Sequence, residues 1–494
     1  MRRPLDRWLW LVVAAFVVRA ALAAVLALTQ LVPHNGWYWA NNDQVEYYGT
    51  AHALIHGDIA AAYTFMGYGV LLAPFAIGTE FVLQAVPPAA IVQFLLAVPA
   101  AVLLYRAGVR LADRRAAAVG TALWLTTPLW LGTIWFRSYS APFVMSTSWL
   151  GMQISVDYAS ALLAIGVLYV AAGALGDASA RRGAVVGLLA GLAFLSKPSN
   201  VVIVGSAFVA LAVWRRWRSA ITMAAVSGVV FSAQIALNWR LNGDPTKFAY
   251  SSAWPYGDTK PLASISYIPR SLGKLFLLNY TGPLLGLAAV AALVVTWRRF
   301  PATRWLVVAQ VVAFALFFSP LYYSISEFML RFMTPALPAL CLAAGCALVG
   351  RPRADTHVTA GPPGRVGTVL CCGAVVGVAA LAVLVAVAPV RPVLPVVPSL
   401  SVTGVRVGPE RVAISWHEPD APATLWYEVT RSRRAARSSA EHSIWSGGST
   451  RITDRPGPGT WWYRVYLTPR SRPSGWTPSP PLGVSAPVRV VVGS

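Results

Sequence analysis

Charge is the scarcest commodity in this chain. Charged residues make up 12% of its 494 positions, about half of the ~25% with which a water-soluble protein covers its exterior. That excludes a soluble multidomain protein, and equally a disordered chain, collagen and coiled coil. Acids are fewer still, 18 against 40 bases, and only four of the bases are lysine (197, 247, 260 and 274), so arginine carries most of the +22 net charge. Cysteine is limited to four residues, at 341, 346, 371 and 372, all in apolar runs and none at metal-ligand spacing with the six histidines. A disulfide framework and a zinc site are thereby excluded, and the thiols read as small core residues. What abounds is apolar side chain, 56% of the sequence, which is the composition of an integral membrane protein.

A window of about 19 residues finds about eleven apolar spans, near 8–32, 88–106, 116–135, 154–175, 183–197, 199–214, 219–238, 275–296, 305–320, 332–350 and 366–390. The first follows Met1-Arg2-Arg3-Pro4-Leu5-Asp6-Arg7, a start like that of a signal peptide, but it is too long for such a core and is read as a retained span. Eighteen arginines (2, 3, 7; 106, 110, 114, 115; 181, 182; 215, 216, 218; 298, 299, 304; 351, 353, 365) fall at every second junction. The positive-inside rule then predicts a multi-pass plasma-membrane protein, N-terminus cytoplasmic and everything after the eleventh span outside. Net charge explained by topology gives no reason to expect a nucleic-acid partner. Two apolar pieces, 44–57 and 67–86, would break the alternation if they crossed, so both are read as interfacial helices in one external loop, 33–87.

The membrane domain, 1–390, gives way at the Pro-rich linker 391–398 to a segment, 399–494, of short alternating strands near 401–407, 412–416, 425–431, 451–453, 461–467 and 488–492. Gly, Pro, Asp and Ser turns between them point to a small all-β sandwich. Within it Ser415-Trp416-His417-Glu418-Pro419, Trp426-Tyr427-Glu428-Val429 and Pro458-Gly459-Thr460-Trp461-Trp462-Tyr463-Arg464-Val465 resemble a fibronectin type III domain. The Arg/Ser-rich stretch 432–443 is not legible as a strand.

Of the few acids, eight fall on the predicted outer side: Asp43, Glu46, Asp58, Glu80, Asp157, Asp244, Asp258 and Glu327. Ionisable groups at a membrane are costly unless paired or hydrated, so each is a functional candidate. Asp43 and Glu46, just after the first span in Asn41-Asn42-Asp43-Gln44-Val45-Glu46-Tyr47-Tyr48, are one helical turn apart on one face. Such a pair can divide into a base and a partner, or share a divalent cation. It can equally be a capping box at a solvated helix start.

Three further stretches stand out in order along the chain. The first is 43–48 with 51–58 and then 63–75, which contains Met66-Gly67-Tyr68. The second is Gly187-Leu188-Leu189-Ala190-Gly191-Leu192-Ala193-Phe194-Leu195-Ser196-Lys197-Pro198, and the third Arg331-Phe332-Met333-Thr334-Pro335-Ala336-Leu337-Pro338-Ala339-Leu340. Together they resemble GT-C glycosyltransferases of the lipid A aminoarabinose and protein O-mannosyl type, the first being like their first external loop. Two departures, Met66 where the family has proline and Asp-x-x-Glu where it has adjacent acids, leave donor and acceptor open.

The resemblance implies an enzyme that transfers a sugar from a polyprenyl-phosphate donor to an envelope glycan, lipid or protein outside the membrane. Asp43 is then the base that takes the acceptor's hydroxyl proton, and Glu46 a carboxylate favouring positive charge on the sugar ring. Lys197, Arg331 and Arg137 are candidates for the donor phosphate, and Tyr47, Tyr68 and Glu327 for substrate contact. Several have a plainer reading: Lys197 and Arg331 snorkelling, Arg331 paired with Glu327 at i, i+4, and Tyr47 in an aromatic belt. The rival from another class is a transporter or flippase of lipid-linked sugars, although the two halves show no internal repeat.

Overall fold

The computed structural model describes residues 7–26, most of 47–55, 66–77, 82–130, 155–242, 245, 263–276, 283–320, 332–351 and, with gaps, 400–492. The predicted span 366–390 and the linker 391–398 lie outside the described residues. The chain divides into two compact units: residues 1–40, 86–234 and 256–383, and residues 41–85, 235–255 and 384–494.

The helices are α1 (Arg7–Leu26), α2 (Met66–Ala76), α3 (Val82–Leu95), α4 (Ala97–Leu111), α5 (Arg114–Leu125), α6 (Val156–Gly176), α7 (Ala180–Ser196), α8 (Val201–Val213), α9 (Trp217–Asn242), α10 (Ile268–Phe276), α11 (Pro283–Arg299), α12 (Ala309–Phe318) and α13 (Leu337–Val349). Among the described residues four stretches are long and apolar enough to cross a membrane: Trp8–Val25, Pro88–Leu111, Val156–Gly176 and Trp217–Arg240. Pro198–Val213, Arg304–Phe318 and Thr334–Val349 are apolar but shorter. The helices are apolar outward as well as inward: Trp10, Val17 and Val25 on α1, Ile221 and Trp239 on α9, Leu287 on α11 and Leu316 on α12 are exposed. Lipid tails solvate such a surface without penalty, whereas water does not.

In the first unit, arginine groups separated along the sequence gather at one end of the bundle. Arg115, at the start of α5, lies over the ring of Trp8 at the start of α1. Asp113 caps α5 through the N–H of Ala116, at 2.8 Å, and accepts the N–H of Arg351 beyond α13 at 2.6 Å. Arg110 donates to Tyr169 O at 3.0 Å, Arg182 to Gly173 O at 2.8 Å and Arg216 to Leu175 O at 2.6 Å, which ties α4, α7 and the α8–α9 turn to the second half of α6. These contacts hold Arg110, Arg182 and Arg216 around the second half of α6.

Glycines bring α7 and α9 close. A Cβ on Gly187 would lie 2.5 Å from Met223 O, one on Gly191 would lie 2.7 Å from Val230 Cβ, and one on Gly183 would collide with Ser219 O. Ser227 Oγ, donating to Gly187 O at 3.0 Å, uses the same close approach. Helices that cannot rely on water to drive them together pack through such small residues. Gly187→Val is therefore expected to cost about 3 kcal/mol, because the obstacle is backbone that cannot move aside. Gly205→Ala, with nothing within 4 Å, is the matched control. Thermal unfolding in detergent should separate the two, with only the first losing folded protein.

The second unit holds residues 41–85, 235–255 and 384–494. Around 47–55 and α2, Tyr47, Tyr48, Ala51, Met66, Tyr68 and Leu72 are buried. Thr50 sits so close to Gly69 that a Cβ there would lie 2.7 Å from its Cγ2. The C-terminal strands are β1 (Ser401–Arg406), β2 (Val412–His417), β3 (Leu425–Ser432), β4 (His442–Gly447), β5 (Arg451–Asp454), β6 (Gly459–Pro469), β7 (Gly483–Val484) and β8 (Val488–Val492). They form two antiparallel sheets, β1-β2-β5 and β4-β3-β6-β7, with β8 also on β6. Ile414 and Trp416 from one sheet and Val429, Tyr463, Val465 and Val490 from the other share a core. Burial, and then the neighbouring Asp454 charge, push the Tyr463 phenol well above its ordinary value.

Candidate functional site

Helix α7 ends at Ser196 for a local reason. Proline at 198 forces the preceding residue out of the helical region, and Lys197 is extended at φ −158°, ψ 120°. That turn sends the Lys197 side chain to the first turn of α6, where its Nζ forms an ion pair with Asp157. The carboxylate side chain is 1% exposed and the lysine 13%, so water screens neither.

Aromatic rings complete the enclosure. Lys197 Nζ is 4.7 Å from the Phe332 ring centroid and 5.6 Å from that of Phe318, and the two rings stack at 4.9 Å. Both faces attract a cation through the ring quadrupole. One turn deeper, Asn200 Nδ2 donates to Ser160 Oγ and Ala193 O, each at 2.7 Å. Asp157 with Lys197 and Ser160 with Asn200 are thus two polar rungs between α6 and the end of α7. The buried Asn200 Oδ1 and the hydroxyls of Ser155 and Ser199 make no hydrogen bond to any described residue.

The next residue of α6 holds a second cation. Tyr158 OH accepts from Arg19 Nη2 at 2.8 Å, and Leu125 O accepts from Nη1 at 3.2 Å. The guanidinium lies 5.6 to 5.8 Å from the ring centroids of Tyr158, Phe94 and Trp124. Arg19 is 1% exposed, and twelve residues of α1, about 18 Å of rise, separate it from Arg7. The sequence reading had not made Arg19 a candidate. The available signal was a lone arginine inside an apolar span, which is costly enough to demand a partner.

Of the predicted site residues, the structure places Lys197, Tyr47 and Tyr68. Asp43, Glu46, Arg137, Glu327 and Arg331 lie outside the described residues, and so does any cation between Asp43 and Glu46. Tyr47 and Tyr68 meet edge to face at 4.8 Å, 5% and 2% exposed, so protein packing occupies much of both rings. Lys197 carries a carboxylate partner, Asp157, that its place at a span end did not reveal. Among the described residues no group of three or more His, Cys, Asp or Glu is arranged to hold a metal, and Cys341 and Cys346 are free and buried.

Chemically, the first turn of α6 organises an ammonium and a guanidinium on adjacent residues, in surroundings that exclude water. A phosphate oxygen offers such an ammonium the same acceptor chemistry as Asp157 does, and with more charge. Comparison with protein-family models, curated proteins and solved structures yields no match for this chain.

Proposed function

We propose that the protein is an integral membrane glycosyltransferase with about eleven crossings, taking a sugar from a polyprenyl-phosphate donor to an envelope glycan, lipid or protein on the outer face. One observation carries the reading. Lys197 lies next to the end of one stretch that resembles the GT-C enzymes and Phe332 next to the start of another, and the two side chains meet beside Asp157. Stretches far apart in sequence, chosen for their resemblance alone, converge on one buried cation.

In this reading Lys197, with Arg331 and Arg137, receives the donor phosphate, and Asp43 takes the proton of the acceptor hydroxyl. Glu46 favours positive charge on the sugar ring, while Tyr47, Tyr68 and Glu327 shape the substrate pocket. The strand order β1-β2-β5 against β4-β3-β6-β8 supports a fibronectin type III-like fold for the sandwich, which lies outside.

Flipping of lipid-linked sugars is the second reading, favoured by ionisable groups buried among spans. Purified protein in vesicles, given labelled polyprenyl-phosphate sugar and an envelope extract, separates the two. Label passing to an acceptor is the expected result. Label crossing the bilayer with no transfer would overturn the enzyme reading in favour of the transporter.

A further inference from the structure

Another concentration of cations lies in the sandwich, at the end opposite the one where the chain enters. β1 begins at Ser401, paired with His417, and finishes at Arg406, paired with Val412; Val412 pairs in turn with Asp454, the last residue of β5. Arg406, Arg411 and Arg455 therefore share one end of that sheet, on strands about 4.8 Å apart. A tight turn holds the first two together, with Val407 N–H donating to Arg411 O at 2.9 Å and Arg406 Nε to Gly408 O at 3.1 Å.

The other sheet adds two more at the same end. Arg431 Nη1 donates to both oxygens of Asp454 at 2.9 Å, and Tyr463 OH donates to Oδ2 at 2.9 Å. Arg433 crosses the β5–β6 turn, donates to Pro458 O at 3.1 Å and lies 3.6 Å above the Trp461 ring, with Arg431 5.0 Å from the same ring. Gly459 makes that crossing possible: its φ of 124° suits glycine, and a Cβ there would collide with the Arg433 guanidinium.

Arg406, Arg411, Arg433 and Arg455 are exposed. Asp454, the acid at this end among the described residues, is engaged by Arg431 and Tyr463. Guanidiniums gathered this closely repel one another and raise a positive potential that an anion offsets.

We propose that this end of the sandwich binds a polyanionic glycan, a polysaccharide bearing repeated carboxylate or phosphate groups. Repeating anions can engage several guanidiniums at once, a gain in avidity that a single small anion lacks. Arg406, Arg411, Arg433 and Arg455 are spread over the ends of both sheets, which a polymer can span and a single headgroup cannot. The inference stands on the sandwich alone and not on the transferase reading.

The test uses the full-length protein in phosphatidylcholine nanodiscs, with immobilised polygalacturonate as the probe and neutral dextran as its control. Binding to polygalacturonate that weakens with added salt is expected, with none to dextran. Replacing Arg406, Arg411, Arg433 and Arg455 by Gln should weaken it by about tenfold or more, since four exposed ion pairs are lost. Arg451 and Arg455 flank β5 at opposite ends, so Arg455→Glu should weaken binding more than Arg451→Glu. Equal effects of those two changes, binding to dextran, or binding only to phosphatidylglycerol vesicles and not to polygalacturonate would each overturn the proposal, the last in favour of a membrane contact.

Discussion

Asp157→Leu is expected to destabilise the protein by about 3–5 kcal/mol, the usual consequence of stranding one member of a buried ion pair. The Lys197 ammonium would remain beside the stacked rings of Phe318 and Phe332, 13% exposed, with no carboxylate to offset its desolvation. Adding Lys197→Met should recover most of that loss. Methionine is unbranched and polarisable, and its sulfur packs well against aromatic rings. A buried pair replaced by apolar residues of similar volume is often neutral or stabilising. Thermal unfolding in one detergent, for the two single variants and the double, gives the coupling directly. Additive losses would mean that the two charges do not depend on each other.

The second large effect is expected at Asp43. Asp43→Asn should lower turnover by about 10²- to 10⁴-fold, the span of a positioned general base, while leaving the donor KM nearly unchanged. The substitution is chosen because asparagine caps a helix as well as aspartate does. A residue that merely starts the helix would tolerate it, whereas a proton acceptor would not. Glu46→Gln makes the same distinction, since glutamine closes a capping box as well as glutamate. Helical content and unfolding temperature should stay unchanged in both variants while turnover falls.

Strand positions were legible where apolar alternation is strict. The runs at 401–407, 412–416, 451–453 and 488–492 correspond to β1, β2, β5 and β8 within a residue. β4 was not, because its two large apolar residues, Ile444 and Trp445, are adjacent and give no alternation. The Gly-rich run before Lys197 was visible, but its physical use, letting α7 and α9 approach at Gly183, Gly187 and Gly191, appears only once α9 is packed against it. The site was legible by half. Lys197 and Asp157 were both on the predicted outer side, yet pairing them requires α6 and α7 to be antiparallel neighbours, which no local pattern encodes. Arg19 was hidden for the same reason, its partners Leu125 and Tyr158 lying on two other helices.

The claim that Lys197 serves the donor and does not only brace α6 against α7 is tested most directly by donor binding to the Asp157→Leu/Lys197→Met double variant. Stability recovered in that protein removes misfolding as an explanation. Equilibrium binding of a labelled polyprenyl-phosphate sugar to folded double variant and wild type is the measurement. Affinity reduced at least tenfold, about 1.4 kcal/mol, with the fold intact, is expected. Wild-type affinity and full transfer by the double variant would contradict it, and would make the pair a structural brace.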